Sequence, residues 1–375
     1  MLRRALIRTG AMARKEVVHI GRDPQVLLFA LGMPVVLILL FGYAVSFDVE
    51  NIPLVVVDYD HTEQSRKLTQ QFTSSHTFQL VAHRSAADEV EPLFRSGHAR
   101  AALVIPKGFA KALKRGQNAK AQILLDGADN TTASIALGYA SSIALAASQT
   151  ELQKSLGEFQ PPLEARVRLL FNPTAKSSVF LVPGLMVVIL VMIAVMITAL
   201  TVAREYENGS MEQLFATPVG RVEVILGKLM PYFFIGLVQT LLVLTLGVNL
   251  FDVPIHGSLI LLFFLSSLFL LAALMQGLFI SVVTRNQMVA SMVAAITTFL
   301  PALLLSGFIF PVENMPTVLQ FVAHFMPPRY FVRALRAVLL RGNGLMVIWK
   351  DVLALGGFFV FFVALSTLRF KRKVI

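Results

Sequence analysis

Long, nearly uninterrupted apolar runs dominate the chain and are joined by polar connections of very unequal length. The runs are residues 25–47, 179–202, about Leu229–Leu250, Leu259–Val283 and Met288–Phe310 within 224–310, and 346–368. At ~1.5 Å per helical residue each can cross a hydrocarbon core of ~30 Å, so the pattern predicts six membrane helices. Pro34 is expected to kink the first, Pro231 lies near one end of the third, and Pro301 falls inside the fifth.

Residues 48–178 follow another rule. Apolar runs there are short and basic and acidic residues nearly balance. Leu54–Val57, Phe78–Ala82, Ala101–Ile105 and Ala121–Leu125 read as strands. Thr62–Phe72, a helix capped by Ser85 and Asp88 and closed by Gly97, Phe109–Leu113 and Asn130–Leu156 read as helices between and after them. Strands alternating with helices predict a compact α/β domain between the first two spans.

Residues 311–345 hold two apolar segments, Met315–Phe325 and Tyr330–Leu340, both too short to cross and separated by Pro327-Pro328. They are expected to form a re-entrant hairpin buried against protein, where broken backbone is tolerated at depth. Residues 1–24 alternate apolar and basic positions at roughly helical spacing, which predicts an amphipathic helix on the inner membrane face, favoured by anionic lipid. Asp23-Pro24 then supplies a cap and a first-turn proline.

Composition sharpens this picture. Of the 375 residues 56% are hydrophobic, and mean hydropathy is +0.71, that of an integral membrane protein. The net charge of +11 lies largely in the two tails, including the basic segment 369–375. Basic tails flanking apolar helices are the positive-inside pattern and point away from nucleic acid. Both termini are therefore expected in the cytoplasm, with the α/β domain outside. Arg329, Arg333, Arg336 and Arg341 in the hairpin run against that rule. Without cysteine the chain has no disulfide, thiolate metal site or cysteine nucleophile.

One polar insert, within 203–223, has helix-start chemistry twice: Ser210 and Gln213 at capping-box spacing, then Thr217 before Pro218. On spacing alone, a charged loop that merely caps a helix bundle fits equally well. The string Arg204-Glu-x-Glu-x-Gly-Ser-x-Glu-Gln-Leu-x-x-Thr-Pro218, however, resembles the cytoplasmic signature of permease subunits of type-2 ABC exporters. Lys15-Glu16 and Arg22-Asp23-Pro24, Val57-Asp-Tyr-Asp60, Leu125-Asp-Gly-Ala-Asp-Asn-Thr-Thr-Ala133, Ser306–Pro316 and Pro328–Arg336 extend the likeness over nearly the whole chain.

The resemblance implies that the insert is a coupling helix docking on a separate ABC ATPase, which binds ATP and Mg²⁺. Arg204, Glu205, Glu207, Gly209, Glu212, Thr217 and Pro218 would carry that contact. It further implies a second permease, identical or sister, a bacterial inner-membrane location, membrane lipid around the spans, and a periplasmic adaptor as a further partner.

The chain's own residues show no enzyme chemistry. Gly220 to Gly227-Lys228-Leu229 lacks the spacing and hydroxyl of a phosphate-binding loop, so no ATP site is visible. The seven histidines have no metal-ligand spacing. Asp58 and Asp60 read as turn formers before they read as a cation site. Few ionisable groups fall in the spans, unlike the usual ion-coupled carrier. The candidate transport-path polar residues are Gln239, Gln276, Thr297, Thr298 and Ser306, for which interhelical hydrogen bonding is the competing role. A sparsely polar path suits hydrophobic or amphiphilic cargo. The alternative is a membrane-anchored binding or sensing protein acting through its α/β domain.

Overall fold

The computed structural model describes residues 2–44, 51–75, 77–128, 130–156, 176–210 and 220–369. The chain divides into two compact units, residues 1–46 with 169–375, and residues 47–168.

The first unit opens with helix α1 (Leu2–Arg22). Its buried stripe, Met12, Glu16 and Ile20, repeats every fourth residue and so lies on one face. Asp23 accepts the N–H groups of Gln25 and Val26, and Pro24 takes the first helical turn, as the cap chemistry predicts. The first spanning helix then runs as α2 (Pro24–Leu27), a π turn (Leu28–Gly32) and α3 (Met33–Ala44). The π turn has a cause. Pro34 has no N–H for the Ala30 carbonyl four residues back, and its ring crowds that carbonyl.

The second unit is a four-stranded sheet in the order β2-β1-β3-β4. In chain order it comprises β1 (Ile52–Asp58), α4 (Glu63–Thr73), β2 (Phe78–Arg84), α5 (Val90–Arg95), β3 (Ala101–Ile105), α6 (Phe109–Lys114), β4 (Gln122–Leu125) and α7 (Asn130–Leu156). β1 is parallel to β2 and β3, and β4 is antiparallel to β3. The unbroken apolar run of β1 follows from its central place. Leu54 and Val56 face a core with Phe72, Phe78 and Leu103, and Val55 and Val57 face another with Val90, Ala102 and Val104.

The expected Ser85–Asp88 cap does not form. A 3-10 turn at Ala87–Glu89 precedes α5, and the Ala87 N–H donates to the Tyr59 hydroxyl at 2.8 Å instead. Asp60 accepts the N–H groups of Gly108 at 2.7 Å and Ala110 at 2.9 Å and the Thr62 hydroxyl at 2.8 Å, holding the turn after β3 to the end of β1. Desolvation opposes its charge, but the bonds from Ala110, Thr62 and Gly108 outweigh that and hold its carboxyl below the usual range. Asp58 in turn accepts the N–H groups of Asp60 and His61 and the Ser65 hydroxyl, so both carboxylates serve to fix turns.

The first unit resumes with α8 (Ser177–Glu207), followed by α9 (Arg221–Phe251), α10 (Leu259–Thr284), α11 (Gln287–Ala294), a π turn (Ala295–Phe299) and α12 (Leu300–Leu304). The second π turn precedes Pro301 as the first precedes Pro34. The fifth apolar run was expected to continue as helix to Phe310. It stops at Leu304, because the chain turns through Gly307 at φ +80°. Six helices among the described residues are long and apolar enough to cross a membrane: Pro24–Tyr43, Ser177–Glu207, Val222–Phe251, Leu259–Thr284, Gln287–Leu304 and Leu345–Arg369. In α8, 83% of the apolar window is buried against 17–50% in the others, so α8 is the central helix. Gly277 of α10 makes their close approach possible. A Cβ there would stand 2.0 Å from Thr198 Oγ1 and 2.4 Å from the Val195 carbonyl.

Beyond α12, helices α13 (Thr317–Ala323) and α14 (Pro327–Leu339) precede α15 (Leu345–Arg369). Pro327 and Pro328 occupy the first turn of α14, where a missing N–H costs nothing. At 13 residues α14 spans only ~20 Å. Phe331 stacks on Phe269 with centroids 4.2 Å apart. Arg333 pairs with the buried Asp351. Arg336 donates to the carbonyls of Gly307, Phe308 and Phe180 and lies 3.8 Å from the Phe180 ring centroid. Three of the four arginines therefore have structural partners, Arg329 through the Gln320 carbonyl at 3.3 Å.

Gly277→Ala is expected to cost about 1–3 kcal/mol through overpacking. Thermal unfolding of the purified chain measures this, and an unchanged midpoint would mean that α8 and α10 are not locked at this contact. Asp60→Ala is expected to cost about 1–2 kcal/mol at neutral pH. Because the ionised form is the stabilising one, the difference between wild type and variant should persist above the usual carboxylate range and disappear as pH falls below it.

Candidate functional site

The densest group of buried charges lies where the insert leaves α8 and rejoins at α9. Lys228, two turns into α9, is only 1% exposed. Its Nζ is 3.0 Å from Glu205 Oε2 and 3.9 Å from Glu16 Oε2. Lys15 Nζ reaches the other Glu205 oxygen at 3.0 Å. The Tyr232 hydroxyl, one turn beyond Lys228, donates to Glu16 Oε1 at 2.8 Å. Two lysines thus meet two glutamates, and the exposed Lys15 balances the charge of the buried three. Three segments distant in sequence, α1, the end of α8 and the start of α9, are joined through it.

A second layer surrounds this one. Arg204 Nη1 donates to His19 Nε2 at 2.8 Å, which requires that nitrogen to be unprotonated, and lies 3.5 Å from Asp23 Oδ2. Its Nε donates to Gln287 Oε1 at 3.3 Å. Glu207 accepts the backbone N–H of Gln287 at 2.9 Å and its side-chain amide, tying the last turn of α8 to the first of α11. Ser281 Oγ of α10 accepts the N–H groups of Val202 and Ala203 at 3.0 and 2.8 Å. Glu223 accepts the Gly220 N–H at 2.8 Å and lies 3.7 Å from Arg8. The contact between α1 and α9 depends on Gly227, where a Cβ would fall 2.5 Å from Met12 Cβ.

The insert begins sharply. Gly209, at φ +67°, follows the C-cap Asn208, and its N–H bonds the Tyr206 carbonyl at 3.2 Å. Of the residues attributed to ATPase coupling, Arg204 and Glu205 are turned into the clamp, and Glu207 is exposed beside Gln287. Glu212, Thr217, Pro218 and the expected Ser210–Gln213 cap partner lie at or beyond the edge of the described residues, which omit 211–219. A cavity of about 450 Å³ opens beside the clamp, charged where Lys15, Asp23 and Arg204 line it and apolar at Phe29, Ile197 and Leu200.

The transport-path candidates are scattered. Gln239 is buried and donates its amide to the Ala30 carbonyl, the group left without a donor by Pro34. Gln276 is half-buried on α10. Thr297 is exposed and bonds the Val293 carbonyl. Thr298 is buried in the second π turn, and Ser306 is buried where it accepts the Phe308 N–H. Among the described residues no hydrogen bond joins any two of them.

Sequence reasoning missed Lys228 and Glu16 as site residues. Lys228 stood out only as the lysine of an imperfect phosphate-loop match, and Glu16 only within a family-like dipeptide. The usable signal was a lone lysine at the foot of an apolar helix, which has to find a carboxylate. Lys228→Met should leave carboxylate charge buried and cost about 3–5 kcal/mol. Adding Glu205→Gln should recover much of that, giving a coupling energy of at least about 1 kcal/mol in a double-mutant cycle. Strict additivity in thermal or denaturant unfolding would exclude the pairing.

Comparison with known proteins agrees with this architecture. The ABC-2 family transporter protein model matches residues 24–368. The chain is 36% identical over 368 residues to the probable multidrug ABC transporter permease YbhS of Escherichia coli K12, covering 98% of this chain and 97% of that one. It is 30% identical over 348 residues to the probable multidrug ABC transporter permease YbhR of the same strain, covering 92% and 93%. The linearmycin resistance permease protein LnrN of Bacillus subtilis is 24% identical over 380 residues, covering 94% and 95%. The family match begins at the first residue of the first spanning helix and ends within the last turn of the sixth, and on that evidence this chain belongs to the ABC-2 transporter family.

Proposed function

We propose that this permease is the membrane subunit of an ATP-driven exporter, and that the clamp around Lys228 passes force from the insert to the spanning helices. The supporting observation is the closure of the insert's two ends on each other through Glu205 and Lys228. A loop with free ends absorbs a push by bending. A loop whose ends share a buried ion pair transmits the push to what they are attached to. Here that is α8, the central helix, which is locked to α10 at Gly277. In this reading α1 acts as a brace, with Lys15 and Glu16 contacting both ends of the insert.

The rest of the arrangement follows from that assignment. A separate ABC ATPase binds ATP and Mg²⁺ and contacts the insert through Glu207 and Glu212. Two permeases, identical or sister, act with two ATPases. The insert and both termini lie in the cytoplasm of a bacterial cell, and the α/β unit and the α13–α14 hairpin lie beyond the inner membrane. On that side the hairpin's arginines run against the positive-inside bias, and Asp351 and the carbonyls of Gly307, Phe308 and Phe180 hold Arg333 and Arg336 in place there. The spans offer sparse, dispersed polar groups, which fit hydrophobic or amphiphilic cargo. Drug efflux accords with the names of the two Escherichia coli relatives. A periplasmic adaptor is a further partner that the α/β unit is placed to meet.

The test is mild solubilisation of the native membrane and affinity capture of this chain, with Glu212→Arg in parallel. A nucleotide-hydrolysing subunit should accompany the wild-type chain, and the variant should retain about a tenth or less of it while folding normally. Capture of no ATPase, or full retention by Glu212→Arg, would overturn the coupling role. In that event deletion phenotypes of the α/β unit become decisive for a membrane-anchored binding protein.

A further inference from the structure

The α/β unit carries a groove of about 970 Å³ between α4, β4 and α7. It arises because α7 covers the sheet incompletely. Leu68, Leu113, Ile123 and Ile143 belong to the edge of the core and are only partly buried. Phe72 and Phe109 form part of the lining below them. Such a preformed apolar concavity, at the upper end of the usual size for small-molecule sites, leaves hydrophobic surface uncovered among the described residues of this unit.

The rim is polar and one-sided in charge. Glutamines and serines supply most of its polar groups, and among the described residues that line the groove the only charged ones are Lys67 and Lys120. Lys67 is ion-paired with Glu63, whereas Lys120 sits on the segment leading into β4. The stretch from Lys107 to Lys120 adds Lys111, Lys114 and Arg115 without a single carboxylate, and all five cations are exposed. Their field reaches α4. The Glu63 carboxyl is held below the usual range chiefly by Lys67, with Arg66 and Lys114 adding to the effect. Apolar floor, amide and hydroxyl rim and a cationic end are the three parts needed to seat a molecule with a greasy body and an acidic head.

We propose that this groove is a binding site for a monomeric anionic amphiphile, its apolar body lying on Leu68, Ile123 and Ile143 and its acidic head directed to Lys120 and the neighbouring α6 cations. The bilayer is not the intended occupant, because the site is a bounded groove and takes a single molecule. The inference rests on the α/β unit alone, so it stands or falls independently of the ATPase contact.

The full-length chain in lipid nanodiscs would be photolabelled with a diazirine-bearing fatty acid, and in parallel with the same diazirine chain ending in a trimethylammonium group. Labelled peptides would be mapped by mass spectrometry. The carboxylate probe should mark peptides from α4, β4 and α7 at least about fivefold more than the cationic probe. Ala144 is exposed on the groove wall, so Ala144→Trp fills the groove without entering the core. It should lower that labelling at least about fivefold, whereas Ala144→Ser should leave it unchanged. Lys120→Glu, on the surface, should lower it severalfold. Labelling of the spanning helices serves as the internal measure of an intact chain. Equal labelling of the α/β peptides by the two probes, indifference to Ala144→Trp, or labelling confined to the spanning helices would each overturn the proposal.

Discussion

A lysine ammonium at 1% exposure, at the foot of a helix that crosses a membrane, has to be met by carboxylate. That constraint on Lys228 organises the end of the bundle where the insert lies. Glu205 meets it from the last turn of α8 and Glu16 from α1. Lys15 and the Tyr232 hydroxyl then satisfy what those two carboxylates have left. Because each partner comes from a different element, solvation of one charge fixes the relative placement of three helices. The pairing is poor evidence for high stability, since two well-packed apolar residues could do as well. It is good evidence for a specified geometry, which is what a force-transmitting joint requires.

The same physics governs the breaks in the spanning helices. Each π turn is followed by a proline six residues from its start. Where Pro34 leaves the Ala30 carbonyl without its helical donor, the side-chain amide of Gln239 supplies one from α9. Where the fifth span ends early, Arg336 gathers the free carbonyls of Gly307 and Phe308. In each case a polar side chain from another element satisfies backbone that its own helix leaves without a partner. This gives Gln239 a structural duty, whether or not cargo passes near it.

The α/β unit is built by ordinary soluble-protein rules, with two apolar cores on either side of a twice-flanked β1. Its carboxylates at Asp58 and Asp60 are engaged by the loop they stand in and by the turn after β3. Its unspent surface is the groove under α7, where an apolar floor meets a run of lysines. Transport proteins of this kind thus combine two solvents in one chain, and each unit's polar groups are arranged for the solvent that unit meets.

Much of this was legible in the residues. The apolar runs are long enough to declare themselves, and they fall close to the six helices observed. Asp23-Pro24 capped its helix, the short strands stood where the short apolar runs stood, and the signature from Arg204 to Pro218 named the family before any coordinate did. Those are local or periodic signals, carried by neighbours in sequence. The tertiary structure decided what depends on distance. The span of 212 residues between Glu16 and Lys228 carries no sequence signal of their meeting, nor does anything local show that Pro34 needs Gln239 or that Arg333 needs Asp351. Ser85 and Asp88 had the right spacing for a cap, but Tyr59 from another element took the bond. A sequence states which groups are charged, apolar or unable to donate. Only the fold states which of them are out of reach of water, and so which must find each other.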